Sequence, residues 1–218
     1  MNMIDSTAYK EEFTEHYEGS PVWEIGKPQA PFMEIADAVQ GPILDVGCGT
    51  GSLALFFAEK GHAVTGIDIV DAAIERAREK AAGKKLDVTF LVKDVFTLID
   101  SDWRFPSIID CGLFHVFAND DLKWQRHYVK ALEHVIEPNG TLYLMAAKDK
   151  PEGSAALSGY SLDALQNAFA EGWEFESIKE FVAEVRLNIS PETAMRRAAP
   201  EWTTWFAVIK RKGLADGS

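Results

Sequence analysis

The sequence predicts an α/β chain: a doubly wound, mostly parallel sheet with helices on both faces and an antiparallel hairpin at one end. Three observations predict it. From residue 42 onward, short apolar runs alternate with helical segments at the spacing of βαβ units. The first run ends at an Asp, followed by Gly47, Gly49 and Gly51. Near the C-terminus two long strand-like segments follow one another with no strong crossover helix between them.

The elements follow in order. Residues 1–40 carry no strand signal and read as one or two helices that cover something. "PILDV" (42–46) is a buried strand, and "SLALFFAEKG" (52–61) a helix stopped by Gly61. "AVTGID" (63–68) is a second strand. The helix over 71–84 puts Ala73, Ile74, Ala77 and Ala81 on one stripe. Strands follow at 88–94 and 107–114, and a long helix over 121–140 ends at Pro138-Asn139-Gly140. Residues 140–147 form a fifth strand and 161–172 a helix. The hairpin takes 173–188 and 202–212.

A chain of 218 residues with 47% hydrophobic and 26% charged residues buries one sizeable core and is expected to form a single domain. No apolar stretch reaches the ~20 residues of a membrane span. The N-terminus shows no signal-peptide pattern, and Cys48 and Cys111 make neither a disulfide framework nor a metal-ligand spacing. These features predict a cytoplasmic protein with no bound metal. A net charge of -12 makes nucleic acid and anionic membranes poor partners. Lys210, Arg211 and Lys212 read as a solvated tail.

The glycine loop lies where open α/β sheets bind ligands, outside the carboxyl end of a strand. Glycine there permits positive φ and close backbone approach. A dinucleotide fingerprint requires Gly or Ala where Ser52 stands. The pattern is instead D-x-G-x-G-x-G, beginning at Asp45. A carboxylate there repels a pyrophosphate and attracts a cation. Asp68 ends the second strand, placed to accept from ribose hydroxyls, and Asp94 ends the third, placed to accept from an exocyclic amine, with the Val95 N–H beside it. Each acid alone also reads as a helix cap, and Asp71 is a better cap than Asp68. Together they describe an amino-bearing base, a ribose and a cationic group without phosphate, which S-adenosylmethionine satisfies.

The segment "ILDVGCGTGSLALFFAEKGHAVTGIDIVDAAIERA" with "VKDVF" resembles the class I S-adenosylmethionine-dependent methyltransferase family over about residues 41–147. The resemblance implies a Rossmann-like sheet of about seven strands, the last antiparallel. It implies that Asp45, Gly47, Gly49 and Gly51 line the methionine part, with Cys48 and Cys111 also against the cofactor. Asp68 would hold the ribose, Ile69 would lie on the adenine, and Asp94 and Val95 would hold its edge. After the fourth strand, "GLFHVF" would face the methyl group. Phe114 and Phe117 would wall the acceptor pocket. His115 would serve as general base or substrate hydrogen-bonder, or merely pack. His16, His62, His127 and His134 are given no role. "W-E-I-G-K-P-Q" (23–29) resembles the thiol, thiopurine and halide branch, which would place Trp23 against the cofactor.

The expected protein is a methyltransferase, monomeric or homodimeric, acting on a small and largely apolar acceptor through sulfur or an aromatic oxygen first, nitrogen next. Residues 1–40 form its helical lid, 41–147 its cofactor core and 148–218 the substrate side and hairpin. Its rival is a non-catalytic module that binds S-adenosylmethionine or its product, S-adenosylhomocysteine, and fills the space beside the sulfur. A nicotinamide-dependent dehydrogenase is disfavoured by Asp45 and Ser52.

Overall fold

A computed structural model describes residues 5–118, 122–149, 159–186 and 202–213. One sheet of seven strands runs in the order β3-β2-β1-β4-β5-β7-β6. The strands are β1 (Ile43–Val46), β2 (Val64–Asp68), β3 (Thr89–Val92), β4 (Phe105–Cys111), β5 (Ile136–Ala147), β6 (Trp173–Ala183) and β7 (Trp202–Arg211). β1 to β5 are mutually parallel, and β7 pairs antiparallel with both β5 and β6. The strand order therefore turns at β1 and β4, and the loops leaving those two strands flank a crevice at the carboxyl edge.

Helices cover both faces: α1 (Thr7–Glu18), α2 (Ala30–Glu34), α3 (Ser52–Glu59), α4 (Asp71–Lys84), α5 (Leu122–Val135) and α6 (Leu162–Ala168). The period of two in the strands divides the core. Leu44, Ile108, Leu142 and Leu144 pack on the face of Tyr128 and Leu132 of α5. Ile43, Ile109, Tyr143 and Met145 pack on the opposite face with Phe57 of α3 and Ile74 of α4. Each such side chain contributes about 1.5–3 kcal/mol on burial. The stripe Ala73, Ile74, Ala77 and Ala81 is the buried face of α4, as its spacing predicts.

The helix expected over 121–140 is shorter. α5 ends at Val135, and Ile136 already pairs with Phe105 of β4. Residues 137–140 then bulge out of the ladder, with Asn139 left-handed at φ 63°, before pairing resumes at Thr141. Ile136 belongs to the sheet because it joins the apolar cluster under α5, and the Pro-Asn-Gly turn lies inside β5. β6 ends at Ala183, and residues 187–188 of the expected strand lie outside the described residues.

The N-terminal segment is tied to the body at several points. Arg76 of α4 donates to the carbonyls of Tyr17 (2.8 Å) and Gly19 (3.2 Å) at the end of α1, and Lys10 pairs with Asp71 at 2.7 Å. Residues 22–29 then form a strap hydrogen-bonded to the chain leaving β6. Arg186 N–H donates to the Val22 carbonyl at 2.7 Å. The Gln29 amide both donates to the Glu184 carbonyl (2.8 Å) and accepts from its N–H (2.9 Å).

Candidate active site

The glycine loop answers to the protein as much as to any ligand. Gly47, Gly49 and Gly51 all have positive φ (65°, 52° and 78°). A Cβ at Gly47 would stand 2.9 Å from that of Leu113 in the loop after β4. One at Gly49 would stand 2.6 Å from the Tyr17 hydroxyl and 3.3 Å from Glu24 Oε1. One at Gly51 would strike Phe90 of β3 at 2.6 Å. Gly51 does not border the crevice: it is where the chain enters α3 tightly against Phe90 and Ala77, a packing role in place of the expected ligand contact.

The crevice holds a cavity of about 510 Å3, the size of a small-molecule site. Along the carboxyl edge its lining runs from Asp94, Val95 and Phe96, through Ile69 and Asp68, to Asp45, Gly47, Cys48 and Gly49. It continues past Cys111, Leu113 and His115 to Met145 and Trp202, under a roof of Tyr9, Phe13, Trp23 and Glu24.

The strand-end acids differ in how they are satisfied. Asp68 accepts from Gly49 N–H and Val70 N–H, both at 2.9 Å, so it braces the glycine loop as well as facing the cavity. Val70, not Asp71, occupies the cap position of α4. Asp94 caps a 3-10 turn through Phe96 N–H at 2.9 Å and takes the Ser6 hydroxyl on its other oxygen. Capping and facing the cavity thus coexist in one carboxylate. Asp45 is 1% exposed, and its Oδ2 has no hydrogen-bond partner. Burial, then the neighbouring Asp110, push its pKa up to about 8, against a weaker opposing effect of the Ala54 N–H.

Asp110, absent from the expectations, ends β4 as Asp45 and Asp68 stand near the ends of theirs, and the same pattern would have flagged it. It is fully buried and accepts from Leu113 N–H (2.6 Å), Phe114 N–H (2.9 Å) and the Tyr128 hydroxyl (2.5 Å). Burial raises its pKa to about 6 despite these donors. It fixes the turn that carries His115 and Phe117 to the cavity. Phe114 points the other way. It is fully buried and stacks on Tyr160 with ring centroids 4.6 Å apart, so it belongs to the core and not to the pocket wall. His115 Nδ1 is buried without a partner, and burial lowers the ring's pKa to about 4. The ring is therefore neutral at pH 7.

Trp23 is half-buried in the roof, its ring edge-on to Phe13, His16 and Tyr17, and its Nε1 donates weakly to the Tyr17 hydroxyl at 3.4 Å. His16, given no role from sequence, borders the cavity beside it. Glu24 and Tyr17 were also missed, because only folding brings α1 and the strap over the loop.

The arrangement fits the cofactor that the motifs imply. The cavity combines hydrogen-bond-accepting acids at the ends of β2 and β3, an unpaired buried carboxylate at β1, and apolar walls. A charged ligand carrying hydroxyl and amino donors suits that set, and a phosphate does not. The sheet order, the glycine crevice and its acids define a Rossmann-like enzyme that uses S-adenosylmethionine. The chain belongs to the class I S-adenosylmethionine-dependent methyltransferase family.

A methyltransferase-domain family model matches residues 43–140. Over 183 residues the chain is 34% identical to 2-heptyl-1-hydroxyquinolin-4(1H)-one methyltransferase of Mycobacteroides abscessus, covering 81% of this chain and 78% of that one. It is 33% identical, with a TM-score of 0.79 over 93% of both chains, to a solved structure concerned with conversion of a disulfide bond into a thioacetal group during echinomycin biosynthesis. The Burkholderia thailandensis 1,6-didemethyltoxoflavin-N1-methyltransferase, solved with S-adenosylhomocysteine, shares the fold at 19% identity, with a TM-score of 0.69 over 98% of this chain and 93% of that one. Among the described residues no helix is long and apolar enough to cross a membrane.

Proposed function

We propose that the enzyme methylates a small, uncharged, largely apolar acceptor at an aromatic hydroxyl or a sulfur atom. One observation carries the reading: beyond the glycine loop the cavity is walled by Tyr9, Phe13, Phe117, Met145 and Trp202, with His115, whose Nδ1 is buried without a partner, among them. The lysines that border the cavity are engaged elsewhere. Lys27 pairs with Glu184 at 2.7 Å, Lys148 with Glu180 at 2.5 Å, and Lys93 lies over Trp103. A carboxylate or phosphate acceptor would meet acids with no free cation among the described residues to offset them. The names of the relatives, a hydroxyquinolone methyltransferase and a structure concerned with sulfur chemistry, accord with oxygen or sulfur.

Bound S-adenosylmethionine supplies an electrophilic methyl group on a sulfonium whose charge disappears as the methyl is transferred. The chain's own contribution is alignment and dryness. The acids from Asp94 to Asp45 hold the cofactor, and the aromatic roof excludes water. His115, neutral and with its proton on Nε2, accepts a hydrogen bond from the acceptor O–H or S–H at Nδ1. It receives that proton only as the nucleophile loses electron density, because a base near pKa 4 does not ionise the acceptor in advance. In this reading residues 1–40 are the lid, 41–147 the cofactor core and 148–218 the acceptor side. The protein works in the cytoplasm on metabolites and not on nucleic acid, in keeping with its net charge of -12.

The test is a screen of labelled methyl transfer to phenols, hydroxylated heteroaromatics, thiols, amines and carboxylic acids. Hydroxyl or thiol compounds should be labelled, and His115→Ala should lower kcat/KM by about 100-fold or more without changing the affinity for S-adenosylhomocysteine. Labelling confined to amines or carboxylates, or a fully active His115→Ala, would refute the reading.

A further inference from the structure

The strap carries a carboxylate to which the sequence motifs assign no role. Glu24 follows Trp23 in the roof, and its side chain is 17% exposed. It is held on two sides. The Thr50 hydroxyl from the glycine loop donates to its Oε2, and Lys80 of α4 stands 3.7 Å from the same oxygen. Thr50 also receives the Lys80 ammonium, so loop, strap and helix share one polar cluster. The other oxygen, Oε1, lies above Gly49, where a side chain would meet it at 3.3 Å. Burial does most to raise the pKa values of Asp68, Cys48 and Cys111, and the Glu24 charge adds a smaller push in the same direction.

Asp45 of β1 borders the same cavity, and its Oδ2 is buried without a partner. Two carboxylates from different elements therefore approach the glycine loop. Lys80 engages only the Thr50 side of Glu24, and no cation pairs with Asp45 among the described residues. Such a pair in a half-dry cleft is stable once a cation lies between them. Ile69, Asp94 and Val95 mark the opposite end of the cavity, toward β2 and β3, and Asp68, bonded to the Gly49 N–H, lies between the two ends. The end at β1 then takes the amino-acid part of the cofactor, whose amino group is protonated at neutral pH.

We propose that Glu24 is a cofactor-binding residue: its free carboxylate oxygen receives the ammonium of the methionine moiety from the roof, across the glycine loop from Asp45. The proposal rests on the reading that these residues hold S-adenosylmethionine.

Two ligands separate this from a purely mechanical latch. S-adenosylhomocysteine carries the amino-acid end, and 5′-methylthioadenosine is the same nucleoside thioether without it. In Glu24→Gln the amide oxygen still accepts from Thr50, so the strap stays tied while the charge is lost. Calorimetry should show S-adenosylhomocysteine binding weakened about ten- to hundredfold and 5′-methylthioadenosine binding unchanged, with the same melting temperature as the parent. Equal weakening of both ligands would make Glu24 a latch and overturn the proposal, as would no change in either. If the unaltered protein bound 5′-methylthioadenosine but not S-adenosylhomocysteine, the amino-acid end would lie elsewhere. If it bound neither, the cofactor site itself would be misassigned.

Discussion

Asp45 makes cofactor binding depend on pH. Its carboxyl is held at about 8 by burial and by Asp110 on the next strand, with Asp68 on β2 adding to the repulsion. At pH 7 such a group is about nine-tenths protonated. A ligand that sets its ammonium against this carboxyl binds the ionised form, so the apparent affinity follows the ionised fraction. That fraction is about one in a hundred at pH 6 and one half at pH 8, which predicts about fiftyfold tighter S-adenosylhomocysteine binding at the higher pH. Calorimetry at both values, in buffers with different ionisation enthalpies, measures the affinity and the proton released, close to one per ligand at pH 7. Asp110 does not border the cavity and accepts from three donors, so it is a poor source of the same effect. Asp45→Asn should abolish both the slope and the proton release. A flat affinity in the parent protein, or an equal slope in Asp45→Asn, would refute the reasoning.

The same two acids govern stability without cofactor. Asp45 and Asp110 ionise at about 8 and about 6 in the fold, against 3.8 for a free side chain. Their contribution is fully present below about pH 4 and is lost as pH rises through 6 and then 8. The melting temperature of the cofactor-free protein should fall over that range, and a rise in thermal scans would contradict this. Gly51→Ala forces a side chain against Phe90 at positive φ and should cost about 1–3 kcal/mol of stability by denaturant titration; no loss would mean that α3 shifts freely. Trp23→Ala removes a half-buried roof residue. It should weaken S-adenosylhomocysteine binding about tenfold while costing less than the ~3–5 kcal/mol of a core aromatic. A large fall in melting temperature with normal affinity would make Trp23 scaffold.

The sheet was legible because its central strands are buried on both faces, which writes continuous apolar runs such as "PILDV" between helical periods. The hairpin was legible from two long β-rich segments with no helix to cross between them. The end of α5 was misread because Pro-Asn-Gly is a strong stop signal wherever it falls, and here it falls in a bulge within β5. At the site, acids at strand ends show in sequence because the strand end is itself visible. Which way "GLFHVF" faces is not, since Asp110 and Tyr128 set the turn that buries Phe114 and exposes His115 to the cavity. Glu24 was invisible for a related reason: its place depends on contacts with Thr50 and Lys80, 26 and 56 residues away in the chain.

The Gln29 amide joins the strap to the backbone at Glu184 by two bonds. The strap roofs the cofactor end, while the stretch around Glu184 borders the acceptor end. A ceiling made in two halves and stitched along one seam swings as a single door. If cofactor and acceptor lie beneath the two halves as proposed, parting that one seam would release spent cofactor and methylated product together.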